Sequence, residues 1–148
     1  MENKQVLVTP EVQRFKEGLG TLSPIKVAEM LGTPLHDVQK NIAKYFERPI
    51  IDTWDTAVWL MSRRLGKSYL ATKIMVTLLL TNESKVALCS HSTSLSDETY
   101  NNILRDLLSI PAIKDKVKSY KKEGIIEIPT LNTRVITASY LNSESRFV

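Results

Sequence analysis

Thr56-Ala57-Val58-Trp59-Leu60-Met61, then Ser62-Arg63-Arg64-Leu65-Gly66-Lys67-Ser68, then Tyr69 to about Leu80: three consecutive stretches of different character organise this chain. The first is a near-continuous apolar run rich in β-formers, which predicts a strand buried on both faces, as in a parallel sheet. The second is a polar loop. The third is made of good helix formers with apolar residues nearly all round. A loop so placed aims backbone N–H groups from a helix N-terminus, where the dipole favours phosphate. Lys67 would reach the β- and γ-phosphates, the Ser68 hydroxyl would ligate Mg²⁺, and Gly66 would let the backbone approach closely. A full Walker A pattern asks for an earlier glycine, and Met61 stands there instead. Gly-Lys-Ser alone is common; the strand before and the helix and strand after carry the reading. The plainer alternative is a basic loop capping an ordinary helix. Arg63 and Arg64 would neutralise γ-phosphate charge as it spreads in a transition state.

Downstream, Thr81–Ser84 reads as a turn and Lys85-Val86-Ala87-Leu88-Cys89-Ser90 as a second strand. Ser94 to about Ile110 has an apolar face of Leu95, Ile103, Leu104, Leu107 and Leu108, with Ser94/Asp97 or Ser96/Thr99 as caps. Pro111 ends it. A basic segment with Lys114, Lys116, Lys118, Lys121 and Lys122 runs to Gly124. Ile125–Ile128 and Arg134–Ala138 alternate around Leu131-Asn132 as a β-hairpin. Strand, loop, helix, strand, helix makes a βαβα unit, so the fold class is α/β with a parallel sheet. Upstream, Ser23-Pro24 reads as an N-cap and first helical proline, with Val27, Met30 and Leu31 on one face. A second helix runs from about Leu35 to Phe46. Arg48–Asp52 is a connector, and Pro10 to about Gly18 is a weak helix.

With 148 residues, 43% hydrophobic and 24% charged, the composition is that of a single globular domain with at most a small appendage. The lone Cys89 excludes an internal disulfide, and His36, His91 and Cys89 lack zinc-ligand spacing. No apolar h-region follows Met1–Gln5, and the apolar stretch near Ile74–Leu80 is far short of a membrane span. The expectation is a soluble, intracellular protein. A net charge of +4 permits nucleic-acid contact.

The Ser62–Ser68 loop closely resembles the deviant Walker A of the large terminase subunits of tailed bacteriophages, which typically reads Ser-Arg-Gln-x-Gly-Lys-Ser/Thr and lacks the first glycine. In that family a Gln-containing adenine-recognition segment lies upstream, as Gln39 does here within Leu35–Ile42. A strand, a helix and a β-hairpin follow the loop, and the hairpin leads into the Walker B strand. The resemblance covers about residues 35–148. It implies a RecA/ASCE-like P-loop NTPase core over 48–148, with an N-terminal helical region over 1–47. It implies ATP and Mg²⁺ as cofactors, with Arg63 and Lys67 acting on the γ-phosphate and Ser68 on the metal. Gln39 would contact adenine, and Arg64, Leu65, Gly66 and Tyr69 would complete the nucleotide-contacting set. Arg64 stands where the family often has Gln.

The implied activity is ATP hydrolysis driving double-stranded DNA into a capsid. The implied partners are a portal protein, a small terminase subunit and further copies in a ring, in the host cytoplasm. A Walker B site needs an apolar strand ending in Asp-Glu. The pair Asp97-Glu98 lacks that strand and reads as helix-start charge. The expectation is a core that stops before Walker B, without the family's nuclease domain, binding nucleotide weakly at most and not turning ATP over.

Two alternatives stand beside this. A helicase-like ATPase shares the strand, loop, helix and upstream Gln, though its loop more often keeps the first glycine. Ser23–Phe46 also has helix-turn-helix spacing, which would present Gln39, Lys40 and Lys44 to a DNA groove. The bland reading of that pair is packing on the core. Lys114–Lys122 reads as a solvated face or a DNA-backbone contact. Trp54 and Trp59 read as packing, Cys89 as a buried small hydrophobe, and His91 as a residue near the site without an acid/base partner.

Overall fold

The computed structural model describes residues 22–46, 56, 58–81 and 85–140. The expected helix at Pro10–Gly18, the connector Arg48–Asp52, Trp54 and the turn at 82–84 lie outside them. Helix α1 spans Pro24–Met30, and the Ser23 hydroxyl accepts from the Lys26 amide at 3.3 Å, as the Ser-Pro cap requires. Helix α2, Asp37–Ala43, continues as a 3₁₀ turn over Lys44–Phe46. Helix α3, Lys67–Thr81, starts at the loop lysine. Strand β1 is Lys85–Ser90 and helix α4 is Thr93–Leu108. The cap of α4 is Ser92, whose hydroxyl accepts from the Leu95 amide at 3.2 Å, so neither Ser94 nor Ser96 caps it. Asp97 and Glu98 therefore sit in the second turn, exposed, rather than at the helix start.

Strands β2 (Lys118–Tyr120), β3 (Ile125–Ile128) and β4 (Thr133–Ser139) complete a four-stranded sheet ordered β1-β4-β3-β2. The β3–β4 hairpin forms where the alternation places it, closed by a 3₁₀ turn at Pro129–Leu131 and by Asn132 in the left-handed region, φ 54°. Only β1 and β4 pair in parallel; β4–β3 and β3–β2 are antiparallel. The fold is α/β, but the sheet is mixed rather than parallel. The departure arises because β4 returns by a hairpin and not by a helical crossover.

One face of the sheet is packed. Ile126, Ile128 and Val135 meet Val76, Leu79 and Leu80 of α3 and Ile103 and Leu107 of α4, with Val27 of α1 beside them. The other side of α3 takes up α1 and α2: Leu70 and Ile74 pack against Ala28, Leu35 and Ala43. Helix α3 is therefore sandwiched, which is why its apolar residues run nearly all round. Each such buried side chain contributes on the order of 2 kcal/mol. Its buried threonines satisfy themselves on the preceding turn: Thr72 Oγ1 donates to the Ser68 carbonyl at 2.9 Å and Thr77 Oγ1 to that of Lys73 at 2.8 Å.

Two further expectations fail. The apolar run from Thr56 to Met61 is not a strand where it is described: residues 58–62 carry no regular structure, and Val58 and Leu60 are 79% and 95% exposed. A strand exists only beside a partner, and the order β1-β4-β3-β2 gives this run none. Trp59 alone turns inward, meeting the Phe46 ring edge-on with centroids 5.1 Å apart. Cys89 is exposed, because Val86 enters the core and the two-residue period sends Ala87 and Cys89 to the opposite face. No described helix is long and apolar enough to cross a membrane.

Candidate functional site

The loop ahead of α3 is folded tightly. Arg64 and Gly66 both lie in the left-handed region, φ 68° and 74°, and the Leu70 amide reaches back to the Gly66 carbonyl at 2.9 Å to open the helix. Lys67 Nζ donates to the Met61 carbonyl at 2.9 Å. The lysine thus closes the loop onto the residue that replaces the first glycine. Arg63, Arg64, Lys67 and Ser68 are exposed in the loop and first turn at the helix's N-terminal end, where the dipole is positive.

Gln39 supports this loop from behind. Its side chain is 3% exposed, yet it is fully engaged. Nε2 donates to the Leu65 and Gly66 carbonyls, each at 3.3 Å, and Oε1 accepts from the His36 amide at 2.9 Å. The last bond also caps α2. A Cβ at position 66 would lie 2.3 Å from Gln39 Nε2. Gly66 therefore admits the glutamine as well as the backbone turn. Both amide hydrogens are committed, and only a second lone pair on Oε1 remains for a base. Turned inward this way, Gln39 does not present itself to a DNA groove.

Two clefts flank the loop. One, of about 540 Å³, is lined by Thr33, Pro34, His36, Gln39, Gly66 and Tyr69 among others. The Tyr69 hydroxyl donates to the Thr33 carbonyl, tying the first turn of α3 to the end of α1. The other, of about 280 Å³, opens at the C-terminal end of β1 and includes Ser68, Ser90, His91, Leu95 and Tyr140 in its lining. That is where open α/β sheets bind ligands. Ser90 of its lining belongs to a hydroxyl cluster: its Oγ lies 2.6 Å from Ser96 Oγ and donates to the Ser92 carbonyl at 3.0 Å. His91 is exposed at this rim.

All the loop residues named from sequence, and Gln39, fall in one neighbourhood, as do Tyr69 and His91. The ion pair beneath them was not anticipated. Lys73 Nζ lies 2.6 Å from Asp106 Oδ2, with the two side chains 2% and 8% exposed, and 4.8 Å from the centre of the Tyr69 ring. A lysine inside an otherwise apolar helix is the signal that would have found it. A nucleotide's phosphates fit the exposed cations and helix terminus. For Mg²⁺ the chain offers the Ser68 hydroxyl; neither cleft has an Asp or Glu in its lining, and among the described residues there is no cluster of three metal-ligating side chains. Comparisons of the chain with protein-family models, with curated proteins and with solved structures return no match.

Proposed function

We propose that this chain is the nucleotide-binding part of a DNA-packaging ATPase of the large-terminase kind, a RecA/ASCE-like P-loop module that holds Mg-ATP at residues 61–68. The observation that carries the reading is Lys67 at the first position of α3, folded across a loop with left-handed turns at Arg64 and Gly66. Such a loop presents amides and cations to an anion at a helix N-terminus. Arg63 and Lys67 would neutralise γ-phosphate charge, the Ser68 hydroxyl would hold Mg²⁺, and Gln39 keeps the loop in register. The larger cleft, lined by Tyr69 and Pro34, would take the base. Bound Mg²⁺ supplies neutralisation of the β/γ charge.

Titration with a fluorescent ATP analogue and Mg²⁺ tests this. The 148-residue chain binds it weakly, and Lys67→Ala lowers affinity by about tenfold or more, as expected for a charge-assisted phosphate contact. Equal affinity in the variant refutes the reading. With no carboxylate among the described residues that line either cleft, the expectation is that the chain on its own binds ATP without turning it over. Lys67-dependent phosphate release would overturn that part.

A further inference from the structure

Within the phosphate-loop reading above, on which this rests, we propose that the site does not select adenine. It takes nucleoside triphosphates of any base, and Gln39 is a positioning residue for the loop rather than a reader of the base. A glutamine that reads adenine accepts from N6 and donates to N7 at the same time. Gln39 has its donor turned elsewhere: Nε2 donates to the Leu65 and Gly66 carbonyls, while Oε1 accepts from the His36 amide. The neighbours fix this orientation. Reversing the amide would set Oε1 against two carbonyls and Nε2 against an N–H, so every contact would repel. At 3% exposure the side chain leaves almost no amide surface for a base to touch. Swinging it out would give up three hydrogen bonds, one of them the cap of α2, to gain two. What Gln39 does in place is orient the loop. In a planar trans peptide the N–H points opposite to the C=O. Anchoring the Leu65 and Gly66 carbonyls therefore turns the Gly66 and Lys67 amides away from Gln39, where an anion can meet them.

The rest of the larger cleft is equally indifferent to the base. The Thr33 carbonyl accepts from the Tyr69 hydroxyl, so that acceptor and that donor meet each other. The Gly66 carbonyl accepts from the Leu70 amide as well as from Gln39. The lining then offers apolar surface from Pro34, Val38, Leu65 and the Tyr69 ring. Such surface holds any base, because every base has a π-face. The exposed His36 imidazole carries one donor and one acceptor when neutral, so it meets adenine and guanine alike. Arg64 is the one Arg or Lys among the described lining residues. A guanidinium suits guanine O6 and N7 as well as phosphate. In the loop of Lys67 and Ser68 it stands with the phosphate ligands. A site built on dedicated hydrogen bonds separates such substrates by about 10⁴-fold or more. Stacking, which tolerates any base, leaves them within about threefold.

The test is displacement of a ribose-labelled fluorescent ATP analogue from the full chain, in Mg²⁺, by ATP, GTP, CTP and inorganic tripolyphosphate. It is run on the parent, Gln39→Met and Gln39→Glu, beside a circular-dichroism melt of each. In the parent the three nucleotides bind within about threefold of one another. Gln39→Met keeps the length of the side chain without its hydrogen bonds, and weakens all four ligands by one common factor of about fivefold or more. Gln39→Glu sets acceptor oxygens against the Leu65 and Gly66 carbonyls and does the same. Tripolyphosphate has no base, so loss of a base reader would leave it unmoved. A preference for ATP of about tenfold or more in the parent overturns the proposal and leaves the phosphate-loop reading intact. An equal preference for GTP also overturns it, and makes Arg64 the base reader. Folded variants that bind tripolyphosphate as tightly as the parent overturn the positioning role. A parent that binds neither the analogue nor any triphosphate overturns this proposal and the phosphate-loop reading together. The ratio of nucleotide affinities is read on the parent, whether or not the variants fold.

Discussion

Gly66 is the residue at which local and distant demands meet. Its φ of 74° and the Gln39 amide beside it each exclude a side chain. Gly66→Ala therefore lowers stability by about 1–3 kcal/mol, through left-handed strain and the loss of the Gln39 bonds. The cost is coupled to Gln39: in the double variant with Gln39→Ala the Cβ has room, and the losses are less than additive. Urea unfolding of the two single variants and the double reads this directly, and strict additivity would sink the bracing role. The need for a residue without a Cβ was legible beside Lys67; the positive φ was not. The glutamine's place was not, because its carbonyl partners lie 26 and 27 residues along the chain. Arg64 carries the same left-handed conformation without glycine's freedom, so the loop holds strain where its cations are presented.

Among elements, the joint between α3 and α4 is the one most sensitive to substitution. Lys73 and Asp106 form a buried pair; removing Asp106 leaves Lys73 buried with only the Tyr69 ring beside it, and removing Lys73 leaves Asp106 only the exposed Arg105 guanidinium at 3.6 Å. Lys73→Met or Asp106→Leu alone costs about 3–5 kcal/mol, whereas the double variant recovers most of that loss. Chemical denaturation of all four proteins checks it; a double variant as unstable as the sum of the singles would mean that the pair is not a closed unit. Capping and turn chemistry were legible in part at this scale: Ser23-Pro24 and the Ile125–Ala138 hairpin depend on neighbouring residues alone, whereas the cap of α4 falls on Ser92 and not on Ser94 or Ser96. The run ahead of the loop was not legible. Its apolar, β-forming residues state a preference for a strand, but hydrogen-bond partners decide whether one forms, and periodicity says nothing of partners.

For the whole molecule, the consequential feature is a mixed sheet whose described helices lie on one side. Cys89, the lone cysteine, is exposed on the face turned away from those helices. It reacts with a thiol reagent in the native protein at a rate close to that of the urea-unfolded chain; strong native protection would refute that exposure. The α/β class was legible from the order of elements. Which face the helices cover was not, because it depends on a strand order that the sequence pattern does not state. That order also sets a timetable for folding. The partners of β4 on β3 lie 5 to 11 positions away, whereas its partners on β1 lie 49 positions away. Closing the longer loop costs about 1.5–2 kcal/mol more, so the hairpin forms within microseconds and β1 docks later, carried by α4. What docks late has the least local support and opens first. The rim that holds Ser90 and His91 thus rests on the longest-range strand pairing among the described residues, and a ligand bridging it to Ser68 would stabilise that pairing.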